Sequence, residues 1–332
     1  MKTIQLVPKP GGPSLVEREA RQPIPGPGEV LIRVRAAGVT PTELEWYPTS
    51  HTKEGNAREG AVPGHEFSGV VEAVGPGVGL LESGREVYGM NDWFAEGATA
   101  ECCIAPFEAV APKPPNLTHV EAASVPIGAL TAWQGLFDRA NLQPGERVLV
   151  QGGAGAVGIF AVQLAKYRGA HVVATASDRN LEFVAGLGAD EVIDYSKAPF
   201  EEQVRDMDVV FDGVGGETLQ RSWSVLKPNG RMVTIAASEE GTSDARVKEA
   251  FFIVVPNQKQ LYLIAEMLRS GALRTVVDTI VPLAKAPEAY LSALPRRGRG
   301  KVVVLVEEGS STQELPEAGA SKKRQAAGQG RN

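Results

Sequence analysis

The chain has 332 residues, 43% of them hydrophobic and 22% charged, which is enough to bury the cores of two domains and leave a tail. A formal net charge of -6 speaks against a bulk electrostatic grip on nucleic acid, and no apolar run approaches the length of a membrane span. The only cysteines, Cys102 and Cys103, are adjacent, which rules out a disulfide framework. With no apolar stretch in the first ten residues to read as a secretory signal, a cytoplasmic α/β protein is expected.

Residues 1–120 are expected to form a β-rich unit. Val30, Ile32, Val34 and Ala36 alternate with Leu31, Arg33 and Arg35, the period of a strand. Pro23-Ile24-Pro25-Gly26-Pro27-Gly28 and Gly75-Pro76-Gly77 punctuate the region as tight turns between short strands. The proline-rich run 111–116 cannot be helical and reads as a connector. Over 121–257 the pattern changes. Strand-like runs at 147–151, 172–176, 191–194, 209–212 and 232–236 are separated by helix-like stretches, which implies a parallel sheet covered on both faces. The set Val157, Phe160, Ala161, Leu164 and Ala165 has the spacing of an amphipathic helix. Residues 258–308 carry a helix (261–269) and two possible strands (276–281 and 301–306), expected to fold back onto the first unit. The last stretch, 309–332, is rich in Ser, Gly, Ala and charge and reads as a disordered tail.

The most informative stretch is Val148-Leu149-Val150-Gln151-Gly152-Gly153-Ala154-Gly155-Ala156-Val157-Gly158. It holds G-x-G-x-x-G as Gly153, Gly155 and Gly158, directly after a strand and opening a helix, which is the context the motif needs. On this reading Gly153 permits the tight turn, Gly155 lets backbone approach a pyrophosphate, and Gly158 lets helix and sheet pack closely. The helix N-terminus then offers N–H groups and a favourable dipole to the anion. The next strand ends in Ala176 and Ser177, without the acid that would hold a ribose 2′-hydroxyl, and Arg179 follows where it could pair with a 2′-phosphate. NADPH is therefore expected over NADH. Asp178, turned inward, would reverse that preference.

These residues resemble the medium-chain dehydrogenase/reductase superfamily, in its zinc-independent quinone oxidoreductase-like branch. The likeness runs from about Pro25 to Val306. It is carried by Ala37-Gly38-Val39, Pro63-Gly64-His65-Glu66-Phe67-Ser68-Gly69-Val70-Val71, Leu130-Thr131-Ala132-Trp133, the whole glycine stretch, Leu187-Gly188-Ala189-Asp190, Asp212-Gly213-Val214-Gly215-Gly216 and Leu226-Lys227-Pro228-Asn229-Gly230. The resemblance implies an α/β fold with a doubly wound Rossmann cofactor domain, a split GroES-like domain, a cleft between them, and a homodimer. It also implies cofactor contacts at Thr131, at Gly153, Ala154, Gly155, Ala156, Val157 and Gly158, at Ser177 and Arg179, and at Tyr195. Tyr195 would lie near a 2′-phosphate or serve only as a half-buried strand-end aromatic. Val214, Ala236 and Ile253, the last in the Phe252 to Val254 stretch, would flank the nicotinamide, and Asn257 would reach the cleft.

Zinc-dependent relatives use a cysteine, a histidine and a later cysteine or acid. This chain has Thr40, His65 and, near the third position, Ile127, so one good ligand stands where about three are needed. No metal is expected, and Cys102 and Cys103 read as buried small side chains. Without metal, a carbonyl must be polarised by hydrogen bonds, and Thr40 and Tyr47 are the candidates at the substrate end, with Trp46 as an apolar wall. Tyr47 reads slightly better as a packing or rim aromatic. The expected function is hydride transfer from NADPH to a small electrophile, a quinone or an activated alkene or carbonyl. Two alternatives stay open: an enoyl reductase module working on carrier-bound substrate, and a non-catalytic NADPH-binding sensor.

Overall fold

The computed structural model describes residues 1–7, 9, 14–79 and 81–307. The tail expected over 309–332 lies outside the described residues. The chain forms an α/β fold in which a parallel, doubly wound sheet stands beside a β-rich unit.

In the β-rich part, β1 (Lys2–Val7) and β2 (Ser14–Glu19) pair as an antiparallel ribbon. β3 (Glu29–Gly38), β4 (Glu66–Val74), β5 (Glu86–Met90), β6 (Cys102–Pro106) and β7 (Val110–Pro112) follow. The parallel strands are β8 (Arg147–Gln151), β9 (His171–Ala176), β10 (Glu191–Asp194), β11 (Met207–Asp212) and β12 (Leu226–Thr234). Late in the chain, β13 (Val277–Pro282) and β14 (Lys301–Leu305) return to the first sheet, which is ordered β13-β14-β3-β4-β5-β7 with β6 also on β3. The return is antiparallel: Val303 stands opposite Gly38 and Val304 opposite Ala37. β3 is the hub of this sheet. Val30, Ile32 and Val34 are buried and Arg33 is exposed, as alternation requires, but Leu31, Ala36 and Ala37 are buried too because neighbouring elements cover both faces.

The parallel sheet is ordered β10-β9-β8-β11-β12. The order reverses between β8 and β11, and in such sheets ligands bind beyond the C-terminal ends of the strands at that point. Both faces are covered. Val148 and Val150 pack into one core, while Leu149 packs with Val173 and Val210 in another. The helix Gly158–Tyr167 departs from the amphipathic expectation: every residue from Gly158 to Ala165 is buried. The helix Pro126–Trp133 lies over its outer side, close enough that a Cβ on Gly128 would sit 2.5 Å from the Ala156 carbonyl oxygen. β12 starts earlier than the expected Met232, at Leu226.

The bonds that join the β-rich part to the parallel-sheet part include the following three. Gly300 donates its N–H to Ala154 O (2.9 Å), Trp93 Nε1 donates to Val254 O (2.9 Å), and the Tyr88 hydroxyl donates to Leu261 O (2.6 Å). The first two lie on either side of the crevice residues described next.

Candidate active site

The loop after β8 makes a cradle. The tight turn falls at Gly152, whose φ is +78°, and not at Gly153 as expected. Gly153 donates its N–H to Thr175 O (2.9 Å) and is small because a Cβ there would press on Ala174 and Val184, each at 3.1 Å. Gly158 is required more strictly, since its Cβ would lie 2.1 Å from Gly152 O. Gly155 bonds back to Gly152 O, which folds the loop over, and it is exposed. The N–H groups of Val157 and Gly158 find no carbonyl acceptor among the described residues, as expected where a helix begins, while that of Ala156 faces the Gly300 carbonyl across the bridge between Gly155 and Gly300. A pyrophosphate fits these donors and the helix dipole behind them.

At the end of β9, Asp178 and Arg179 part company. Asp178 takes a bond from Lys197 Nζ at 3.0 Å, and Lys197 also reaches Asp194 at 3.1 Å. Arg179 is exposed, has no acidic partner among the described residues, and lies against Gly298 of the return segment, whose Cβ would be 2.5 Å from its guanidinium. Ser177 accepts a long bond from the Asn180 side chain (3.3 Å), and Asn180 also ties to Gly298 O (3.1 Å). Tyr195 is exposed, with its N–H bonded to Ala176 O at 3.3 Å, so Ser177, Arg179 and Tyr195 share one rim.

On the other side of the crevice, buried Asp212 ends β11. It accepts from the Thr234 hydroxyl (2.8 Å) and from the N–H groups of Val214 and Gly215. Burial raises its pKa against these bonds. They hold half-exposed Val214 against Gly152, where a Cβ would stand 3.4 Å from Val214 Cγ2. Ala236 lies buried beside Gly215, and Ile253 is exposed on the neighbouring stretch. Thr131 is buried on the helix Pro126–Trp133, with its hydroxyl donated to Ile127 O (2.6 Å). Asn257 precedes the helix Gln258–Ser270. Its side chain accepts from Gln260 N–H and caps the helix Gln258–Ser270.

The substrate end is built from β3, β4 and β14. Thr40 follows β3, is half-buried, and accepts a bond from Lys301 Nζ at 2.9 Å. Lys301 is 4% exposed and also pairs with Glu66, whose other oxygen accepts the Ile127 N–H (2.9 Å). Burial pushes the Glu66 carboxyl up, and Lys301 pulls it down less strongly. Next to this pair, His65 donates from Nδ1 to buried Glu43, which also accepts the Gly64 N–H (3.1 Å). His65 Nε2 is buried without a partner among the described residues. Its ring stands 5.1 Å from that of Trp93, and Trp46 meets Trp93 edge-on at 4.8 Å. Tyr47 is elsewhere. It is 49% exposed, stacks on His51 at 4.3 Å, and has no bond to Thr40 or Lys301.

Zinc does not fit these side chains. The Thr40 oxygen already faces an ammonium, Ile127 is hydrocarbon, and His65 Nε2 is a lone donor. Among the described residues no group of three His, Cys, Asp or Glu is placed to hold a metal ion. Cys102 and Cys103 are buried and unpaired. Burial pushes the Cys102 thiol up to about 11 and the Cys103 thiol further, away from the thiolate a metal would take.

Comparison with known proteins decides the family. Residues 26–115 match the family described as alcohol dehydrogenase GroES-like domain, and residues 187–304 match the one described as zinc-binding dehydrogenase. A probable zinc-binding oxidoreductase from Arthroderma benhamiae is 33% identical, over 92% of this chain and 100% of its own length. The chain belongs to the medium-chain dehydrogenase/reductase superfamily, in its quinone-oxidoreductase-like branch. This member of the superfamily is an oxidoreductase, and solved structures resemble it closely. The quinone oxidoreductase of Coxiella burnetii superposes with a TM-score of 0.81 at 29% identity, over 92% of this chain and 99% of that one. A mycobacterial protein solved in complex with NADPH superposes with a TM-score of 0.77 at 30% identity, over 92% of this chain and 100% of that one.

Four residues around the site were not singled out as site residues from sequence: Glu43, Trp93, Lys301 and Asp212. Lys301 had a visible signal, a single charge opening the strand-like run Val302 to Val306. Glu43 and Trp93 had none, because their partners are distant in the chain.

Proposed function

We propose that this protein is an NADPH-dependent reductase that passes hydride to a quinone or to an activated alkene or carbonyl, without catalytic zinc. The observation that carries the reading is the placement of Thr40. Its hydroxyl is joined to the glycine cradle by two hydrogen bonds, from Lys301 to Thr40 and from the adjacent Gly300 to Ala154, where a zinc-dependent relative would put a metal ligand. The bound cofactor would supply the hydride.

The chain's own residues do the rest. The N–H groups of Val157 and Gly158 hold the pyrophosphate, with Ala154, Gly155 and Ala156 shaping the approach. Ser177 and Arg179 hold the 2′-phosphate, with Tyr195 on the same rim. Thr131, Val214, Ala236 and Ile253 line the nicotinamide side. Trp93 and Trp46 exclude water from the inner end, which strengthens any hydrogen bond made there. Thr40 donates to the substrate oxygen as negative charge develops on it. Tyr47, half-exposed on the rim, would act as a second donor only if its loop moved inward. Reduced Cys102 and Cys103 fit the cytoplasm, and the homodimer that the superfamily implies is checked by sedimentation.

The test is a spectrophotometric panel: loss of NADPH with quinones, enones, enals, aldehydes and short enoyl thioesters. Turnover with quinones or enones is expected, faster with NADPH than with NADH. Tight NADPH binding with no turnover on any of them would favour a sensor. Turnover confined to the enoyl thioesters would favour the carrier-linked reading.

A further inference from the structure

We propose that Lys301 is a positioning residue: its ammonium fixes the Thr40 hydroxyl so that the hydroxyl hydrogen points into the cleft. The inference rests on the reading of Thr40 as the donor at the substrate end and adds how that donor is aimed. An ammonium has three hydrogens and no lone pair, so the 2.9 Å contact between Lys301 Nζ and Thr40 Oγ1 has one sense only: lysine donates and threonine accepts. The threonine's own hydrogen must then go elsewhere, and no described residue accepts it. A hydroxyl that accepts from a cation also becomes a stronger donor, because each bond polarises the next.

Both side chains are held on fixed backbone. Val39, just before Thr40, donates its N–H to Val302 O (2.9 Å), next to Lys301. Lys301 donates its own N–H to Val276 O (3.0 Å), and Gly300 before it is bonded to Ala154 of the glycine loop. Buried Glu66 pins the ammonium from the other side. Lys301 therefore has little freedom to leave Thr40.

The experiment is a double-mutant cycle on the best substrate of the NADPH panel. Lys301→Met alone would strand the buried Glu66 carboxylate, so it is made together with Glu66→Gln. The pair variant should lower kcat on the order of tenfold in the native background and by less than about twofold in a Thr40→Val background. KM and NADPH affinity should hold within about twofold. Lys301→Arg, which keeps a cationic donor, should retain most of the activity. Losses that add across the two backgrounds, or a change confined to KM, would overturn the role of Lys301 and leave Thr40 standing. A fully active Thr40→Val would overturn the reading of Thr40 and this inference with it. Circular dichroism checks folding, and if the pair variant does not fold the same cycle is read with Lys301→Leu and Glu66→Gln.

Discussion

At the scale of single residues, the proposed preference for NADPH turns on two neighbours with opposite charges. Asp178 is occupied by Lys197, and Arg179 has no acidic partner among the described residues. A 2′-phosphate would meet an arginine and a serine hydroxyl there, and no free carboxylate. Charge-assisted bonds contribute about 1.5–3 kcal/mol each, and the exposure of Arg179 puts its share near the low end. Arg179→Ala should therefore weaken NADPH by roughly tenfold and leave NADH nearly unchanged. Fluorescence titration of both cofactors measures this. A native protein that prefers NADH would show that Asp178 leaves Lys197 and faces the ribose. Tyr47 offers a second residue-scale test. An oxyanion donor in a dry site is worth about a hundredfold in kcat, but Tyr47 is half in solvent and stacked on His51. Tyr47→Phe should cost less than about tenfold, while Thr40→Val costs more. If the order is reversed, the loop carrying Tyr47 closes during turnover and supplies the main donor.

At the scale of elements, the return segment acts as a clasp. Gly300 sits at φ +71°, and a Cβ there would lie 2.1 Å from Val276 O, so only glycine fits. The same residue fixes Ala154 in the cofactor loop and leads into Lys301. Gly300→Ala should cost about 1–3 kcal/mol of stability through backbone strain. It should also lower both NADPH affinity and kcat, because the clasp touches both ends of the crevice. Thermal melts and steady-state kinetics check the two effects together. A variant that loses stability alone, with affinity and kcat intact, would show that the clasp is only structural. The short strands and glycines that shape this region were visible from sequence as turns. Which glycine bends and which one packs was not, because Gly152 and Gly153 differ only in what stands beside them.

For the whole molecule, the strongest statement concerns metal. One family description and the name of one relative carry the word zinc, while the side chains at Thr40 and Ile127 of this chain are not donors for it. Activity should survive incubation with EDTA, and purified protein should carry well under one zinc per chain by metal analysis. Stoichiometric zinc, with activity lost on removal and restored on return, would sink the reading. The sequence by itself determined the architecture here. Hydrophobic runs that alternate with helical spacing, and a G-x-G-x-x-G placed between strand and helix, leave little choice of fold, because period and turn chemistry are local properties. It also marked Thr40, His65, Ser177 and Arg179, each beside a motif. Only the tertiary structure decided how they are used. The surface pair of Asp178 with Lys197 and the hold of Glu43 on His65 join residues 19 and 22 positions apart, and the Trp93 bridge to Val254 and the Lys301 bond to Thr40 join residues 161 and 261 positions apart. The last pair forms when the return strand β14 closes onto β3. No local pattern encodes a contact between a strand's first residue and a loop more than two hundred and fifty positions earlier; it exists because burial forces each polar group to find a partner in the folded chain.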